Sequence, residues 1–208
     1  GYHYLLLGRH WEAFASMEVS YHKWGAYLAG SYGAMDVMRE GLYQNARYPE
    51  RSLGKGALIS LPLRQVKAGF NYRLDGRNHL QAAAGLLQHP PGIRNLYINP
   101  RDHSGVVPGA GPERILATEV SYRWRGPNLS TRITGYYNRV QDRSEVNFFF
   151  SETGFGSAFV QEVATGLDVL HKGMEVGVEI ALGPSVTTTA VMALGDHRYA
   201  SDPELVLF

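Results

Sequence analysis

Apolar and polar positions alternate along much of the chain, and this alternation is the strongest pattern in the sequence. From Met174 to Leu182 every second residue is apolar, while the residues between them are Glu, Gly or Ala. A period of two places the two sets on opposite faces of a β-strand, whereas a helix would scatter them around its axis. The pattern resumes from Val186 to Leu194 after a turn at 183–185, so these two strands are predicted to form a β-hairpin.

Three more hairpins of the same kind are predicted upstream. The predicted strand pairs are 13–21 with 24–32, 66–72 with 80–86, and 116–124 with 129–137, and their turns are rich in Gly, Asn, Asp and Pro except at His22-Lys23. Much longer connections, at 37–64, 88–114 and 141–168, separate the hairpins. Short turns at one end and long loops at the other are typical of an outer-membrane β-barrel.

The two faces of these strands differ in charge. The apolar half-strands carry no charged residue, whereas the intervening positions include Glu12, Lys67, Glu119, Arg132 and Glu175. A soluble β-sandwich also has one apolar and one polar face, and it is the alternative to a barrel. The following aromatic residues lie beside the short turns on the apolar face, as an interfacial girdle requires: Tyr21, Trp24, Tyr72, Tyr122 and Trp124.

The predicted fold class is therefore all-β. We expect an antiparallel up-and-down transmembrane β-barrel segment of about eight strands in four hairpins, with short periplasmic turns and long extracellular loops. Strands of roughly nine to eleven residues have the length that crosses a membrane at a tilt.

Composition narrows the function classes. The net charge of +1 and the lack of a basic block argue against a nucleic-acid partner. The absence of Cys excludes disulfides, thiolate metal sites and a cysteine nucleophile within these residues. The apolar run at 82–87 is too short for a transmembrane helix.

Several stretches, in order along the chain, resemble the barrel of a TonB-dependent outer-membrane receptor of the kind common in Bacteroidetes-like bacteria. They are GYHY at 1–4, LDGRN at 74–78, NLYINPR at 95–101, VVPG at 106–109 with ER at 113–114, TGYY at 134–137, HKGMEVGVE at 171–179 and ALGDHRY at 193–199. Each motif is weakly specific by itself, and their joint order is what carries the resemblance.

The resemblance implies an active importer with a barrel of about 22 strands closed by an internal plug. We find no plug domain and no segment that contacts TonB, so residues 1–208 are expected to be a single segment of a larger barrel, with the TonB contact made elsewhere. Closure of eight strands into a small barrel is the alternative. Phe208 fits the final aromatic residue of the family pattern, but Pro203 and Glu204 predict no strand before it.

Candidate chemistry is sparse. No His spacing matches a metal motif, and Asp196-His197 with Ser201 is the one local arrangement that resembles a hydrolase site. We predict no enzyme activity, no catalytic residue, no metal site and no cofactor. On the polar face, Glu119 with Arg132 and Lys67 with Gln81 are predicted to pair across neighbouring strands.

Binding is expected in the long loops, where aromatic and cationic side chains suit a sugar, a peptide or a ferric chelate. The candidate residues for a ligand or partner are Tyr97, Arg101, His103, Arg139, Phe148, Phe149, Phe150, His197, Arg198 and Tyr199. The predicted function is uptake of a large nutrient (an oligosaccharide, a peptide or a metal chelate) across the outer membrane of a Gram-negative bacterium. The expected partners are outer-membrane lipid, TonB, the nutrient and a surface lipoprotein. The alternatives are a structural or adhesive barrel, a barrel enzyme and a soluble binding module.

Overall fold

The computed structural model describes residues 3–153 and 156–208, and these form one antiparallel sheet of ten strands. Two of the residues outside this description, Gly1 and Tyr2, belong to the first stretch of the family resemblance. The strands are β1 (Tyr4–Tyr21), β2 (Trp24–Gly41), β3 (Gly54–Lys55), β4 (Ile59–Arg73), β5 (Asn78–His89), β6 (Glu113–Arg125), β7 (Leu129–Thr153), β8 (Gly156–Gly183), β9 (Val186–Tyr199) and β10 (Glu204–Leu207).

The long strands follow one another in the sheet in chain order, which confirms the up-and-down arrangement. The sheet runs β1-β2-β4-β5-β6-β7-β8, and β9 pairs with β8. Two short strands add to this path, because β3 pairs with β2 and β10 pairs with β8. Among the described residues no pairing joins β1 to β9, so the sheet does not close on itself as a small barrel.

The four predicted hairpins are confirmed. Tyr21 lies opposite Trp24 in the first hairpin, and Leu80 lies opposite Tyr72 in the second. The predicted pairing of Glu119 with Arg132 is also present, with an Nη2–Oε1 distance of 3.0 Å. The predicted Lys67–Gln81 pair is not formed, because no hydrogen bond joins these two side chains in the described part of the chain, where Lys67 lies opposite Gly85 and Gln81 lies opposite Asn71.

The third connection, predicted as a loop at 141–168, is mostly strand. β7 continues to Thr153 and β8 begins at Gly156, so this hairpin is far longer than expected. Its register shifts between Val140 and Glu145, where Asp142 adopts a left-handed backbone with φ of 60°. This bulge breaks the period of two on which the strand prediction depended.

The end of the chain is a second correction. Glu204–Leu207 forms β10 and pairs with Glu162–Thr165 of β8, although Pro203 and Glu204 predicted no strand. β8 has 28 residues and extends beyond the end of β9, so the part of β8 that β9 does not reach can bond to another strand. Pro203 precedes the first paired residue and therefore removes no hydrogen bond from this ladder.

The first two connections are loops with little regular structure. Loop A (42–58) contains a short helix, α1 (Pro49–Ser52), as well as β3, and loop B (90–112) contains a 3₁₀ turn at Ile93–Asn95. No helix in the described part of the chain is long and apolar enough to cross a membrane. The buried apolar residues cluster where loop B lies against the sheet.

Candidate binding site at the loop end of the sheet

The sheet has an apolar face, defined by the apolar half-strands, and an opposite polar face that carries Glu12, Lys67, Glu119 and Glu175. The apolar face is open along its whole length. Large side chains on different strands of this face retain much of their accessible surface, including Met17 (63%), Leu86 (63%) and Val120 (59%). Soluble monomers rarely expose a continuous apolar surface, and such a surface indicates contact with lipid or protein.

Two aromatic rows border this apolar surface. At the turn end, the predicted row is confirmed by the register, which aligns Trp24 with Tyr21 on one side and with Tyr72 on the other. Nearer the loops, the rings of Trp11 and Tyr32 lie 5.7 Å apart, and the Arg64 guanidinium lies 5.9 Å from the Tyr32 ring centre.

The spacing of the two rows can be worked out along β1. From Trp11 to Tyr21 the strand covers about 33 Å at about 3.3 Å per residue. At the tilt of about 40° that is usual in barrels, this length spans about 25 Å, which is the height of the lipid-facing band of an outer-membrane barrel.

Loop B folds over the polar face at the loop end. Leu96 and Tyr97 are buried against Val37 of β2 and Leu61 of β4, and all four side chains are at most 3% exposed. Val37 and Leu61 share the face of Lys67, because their positions have the same parity along paired strands. Loop B therefore covers the polar face and does not extend away from the sheet.

Arg39 of β2 joins both loops to this face. Its side chain is buried, and its Nε donates a hydrogen bond to the Pro100 carbonyl oxygen at 2.7 Å. Its Nη1 donates to the carbonyl oxygen of Ser52 in loop A at 3.0 Å and to Ser104 Oγ in loop B at 3.1 Å. One guanidinium thus links two loops to a strand, and we call this arrangement the Arg39 latch.

Glycine at position 41 lets loop A approach the end of β2. A Cβ atom at Gly41 would overlap the carbonyl oxygen of Ser52, the same oxygen that accepts a hydrogen bond from Arg39. Only a residue without a side chain fits this contact.

Two of the predicted site residues, Tyr97 and His103, lie in the interior of loop B. Tyr97 is 1% exposed and His103 is 6% exposed, so these rings offer little surface to a ligand. His103 Nδ1 accepts a hydrogen bond from the Gly105 amide at 2.9 Å, and its ring lies 4.5 Å from that of Tyr48. Burial lowers the pKa of His103, and the charge of Arg51 lowers it further. Arg101, between them in sequence, is exposed.

The phenylalanine run lies on the extended β7–β8 hairpin beyond the bulge. Val146 and Val163 anchor the base of this hairpin against Ile98 and Val107 of loop B. Three aromatic side chains farther along are exposed, and they are Phe148 (41%), Phe149 (40%) and Phe150 (51%). The Arg94 guanidinium lies 5.9 Å from the Phe148 ring, and the Phe150 and Phe159 rings meet edge to face at 5.1 Å.

The remaining predicted residues divide between the two faces. Arg139 and Arg198 are on the apolar face, where Arg139 pairs with Asp168 at 2.8 Å and Arg198 Nε lies 3.9 Å from Asp196 Oδ2. His197 and Tyr199 are on the polar face, because alternate residues of a strand point to opposite sides. The ten candidates therefore do not form one site.

The hydrolase candidate is not assembled. Ser201 Oγ donates to the Gly166 carbonyl oxygen and accepts from the Asp168 amide, each at 2.8 Å, so its hydrogen bonds do not involve His197. His197 instead contacts His171. No cluster of three or more His, Asp or Glu side chains that could hold a metal ion occurs among the residues described.

Sequence reasoning missed Arg39 and its partners Ser52 and Ser104. Arg39 has the expected parity for the polar face, but nothing in the sequence indicates that two loops would enclose it. A weak signal exists in Gly41, two residues away, because a glycine at a strand end can mark a close approach of another backbone.

Comparison with known proteins supports the fold. No protein-family model matches the chain, and no curated protein sequence does either. A solved structure described as the copper transporter OprC is similar, with a TM-score of 0.69 and 18% sequence identity. The match covers 97% of this chain and 30% of that chain, so the chain spans less than a third of the length of this neighbour.

Proposed function

We propose that this chain is part of the barrel wall of a TonB-dependent outer-membrane receptor that takes up a large nutrient. The apolar face contacts the lipid of the outer membrane, the polar face lines the lumen, and loops A and B lie on the extracellular side. The observation that carries this proposal is the apolar surface about 25 Å high between two aromatic rows, which matches the lipid-facing band of such barrels.

The long sheet edges support a position within a larger barrel. The edge of β1, 18 residues long, bonds to no other strand among those described. Within hydrocarbon, unpaired backbone groups cost several kcal/mol each, so an open edge is not stable there. Further strands that pair with β1 and β9 would satisfy these groups, as in a barrel of about 22 strands.

Loop B supports a role in binding cargo. Loop B folds over the polar face and carries Arg94 and the exposed Arg101, so in the proposed barrel it would narrow the extracellular end of the lumen and offer cationic side chains to cargo. Among an oligosaccharide, a peptide and a metal chelate, we favour the metal-bearing cargo, since the structural neighbour is described as a copper transporter. TonB supplies the energy, and a surface lipoprotein is a further proposed partner.

Uptake with and without TonB tests the proposal. Cells that express the whole protein are compared in strains with and without TonB, and both surface binding and internal accumulation of labelled copper chelate, peptide and oligosaccharide are measured. We expect accumulation of one cargo to require TonB while its surface binding persists. Accumulation that is independent of TonB would contradict the receptor assignment.

A second candidate function, adhesion, is favoured by the exposed aromatic hairpin. Phe148, Phe150 and Phe159 are 41%, 51% and 74% exposed beyond the base of the hairpin. If adhesion is the function, replacing Phe148 and Phe150 by Ser reduces attachment of whole cells to a surface and leaves uptake unchanged. If the hairpin serves uptake, the same variant lowers accumulation.

A further inference from the structure

Two histidines face each other across neighbouring strands on the polar face. His171 of β8 and His197 of β9 are direct register partners, and their Nδ1 atoms lie 2.8 Å apart. The ring centres are 5.0 Å apart and the rings are inclined at 51°. This separation means that one Nδ1 donates a hydrogen bond to the other, which requires at least one of the rings to have an unprotonated Nδ1.

The surroundings of the pair are open and polar. The next residues along the polar face, toward the short turns, are Gly173 and Gly195, which are themselves register partners. A Cβ atom at Gly173 would lie 2.6 Å from the Tyr136 hydroxyl, so this hydroxyl covers the space that the two glycines leave. On the other side of His171, Asn138 of β7 is its register partner.

The charged residues near His171 and His197 do not interact with the two histidine rings. Lys172 and Asp196 pair with each other, with 3.6 Å between Nζ and Oδ2, and their positions belong to the opposite face of the sheet. On the polar face the nearest acidic residue of β8 is Glu175, about 13 Å along the strand at about 3.3 Å per residue. Neither histidine has a carboxylate partner among the described residues, and the Nδ1 atom of each ring contacts the Nδ1 atom of the other.

We propose that His171 and His197 bind one divalent transition-metal ion through their Nδ1 atoms, with Cu²⁺ bound most tightly. Two nitrogens at about 2.0 Å from a metal and at right angles to each other lie about 2.8 Å apart, which is the separation seen here. Imidazole nitrogen suits copper, nickel and zinc, and copper has the highest affinity in this series.

Metal binding replaces the hydrogen bond between the rings. With one proton on each ring, the ring that donates from Nδ1 moves its proton to Nε2, so both Nδ1 atoms are free to bind the ion and no proton is released. Water completes the coordination, since the polar face is open at this point. The site does not depend on transport and stands if the proposed function fails.

Copper titration of the whole protein in detergent, followed by electron paramagnetic resonance, tests this site. We expect a Cu²⁺ signal with hyperfine splitting from two nitrogens in the unmodified protein. In His171→Gln and in His197→Gln we expect this signal to require at least about tenfold more Cu²⁺, because chelation by the pair is lost. His10→Gln is the matched control, since His10 is an exposed strand histidine whose register partner is Met35.

A second measurement uses no substitution and therefore does not depend on the folding of the variants. Diethylpyrocarbonate modifies accessible imidazoles, and the modified peptides are quantified by mass spectrometry with and without Cu²⁺. We expect Cu²⁺ to protect His171 and His197 and to leave His10 reactive. Equal reactivity of all three with and without Cu²⁺, or a two-nitrogen signal that both Gln variants retain, would overturn the proposal.

Discussion

Substitution of Arg39 by Ala is expected to release loops A and B from the polar face. The substitution removes hydrogen bonds to Pro100 O, Ser52 O and Ser104 Oγ, at 2.7, 3.0 and 3.1 Å. A hydrogen bond to a charged group contributes about 1.5–3 kcal/mol, and an acceptor left buried and unpaired adds a desolvation cost. Because these contributions are not additive, we expect the docked state to lose at least about 3 kcal/mol.

Hydrogen exchange of the whole protein in detergent, analysed by mass spectrometry, measures this loss. At about 1.4 kcal/mol for each factor of ten, a loss of 3 kcal/mol accelerates exchange of loop amides by roughly a hundredfold. The informative amides in loop B are Val107, which donates to Leu96 O, and Ile98, which donates to Gly105 O. Exchange near the short turns should not change.

Two further variants make this prediction specific. Arg39→Lys keeps the charge but cannot make the same three bonds, so its exchange is expected to lie between those of the unmodified protein and Arg39→Ala. Arg77→Ala removes an exposed arginine at the turn end and is expected to leave both loops unchanged. Unaltered exchange at Val107 and Ile98 in Arg39→Ala would refute the latch.

Three other predictions concern the same end of the sheet. The pKa of His103 is lowered when loop B is docked, so the undocked loop binds more protons below the ordinary pKa of about 6.5, and docking weakens as the pH falls from there through the lowered value. Proteolysis in loop B should therefore increase from pH 7.5 to pH 5.5. A His103→Gln variant that shows the same increase would contradict this prediction. Gly41→Ala should displace loop A and expose it to protease, whereas Gly8→Ala, where a Cβ meets nothing within 4 Å, should have no effect; equal cleavage of the two variants would show that the close approach is unimportant. Asp168→Asn weakens the ion pair with Arg139 and should lower the stability by about 1 kcal/mol, measured as earlier heat-induced unfolding on a gel, and an unchanged transition would argue against a role for this pair.

The sequence predicts the hairpins because apolar and polar residues have to alternate along a strand that has one buried or lipid-facing side. The apolar residues of 174–182 and 186–194 must all lie on one face, and a shift of one residue would move every one of them to the other face. The face on which each residue of β8 and β9 lies therefore follows from the residues themselves. The same reasoning located the aromatic row at the turn end, since Tyr21 and Trp24 flank a turn of two residues.

Features that depend on contacts distant in sequence could not be predicted in this way. The full length of the β7–β8 hairpin could not be predicted because the bulge at Asp142 breaks the alternation of apolar and polar residues. The strand β10 forms only because part of the edge of β8 is free to pair with it. The burial of Arg39 and Tyr97 results from the path of loop B over the sheet. In each case the structure depends on a contact with a segment distant in sequence, and the local sequence pattern does not indicate this contact.

Spin-label accessibility at three consecutive positions of one strand tests most directly whether the apolar face contacts lipid. Ala82, Ala83 and Ala84 are consecutive exposed residues of β5, and small side chains there can be replaced by Cys with little change in packing. The 208 residues contain no Cys of their own, which simplifies spin labelling. In the protein reconstituted into bilayers, collision rates with oxygen and with a water-soluble nickel complex are measured at each label. We predict high oxygen and low nickel accessibility at positions 82 and 84 and the reverse at position 83, whereas equal nickel accessibility at all three positions would contradict the account.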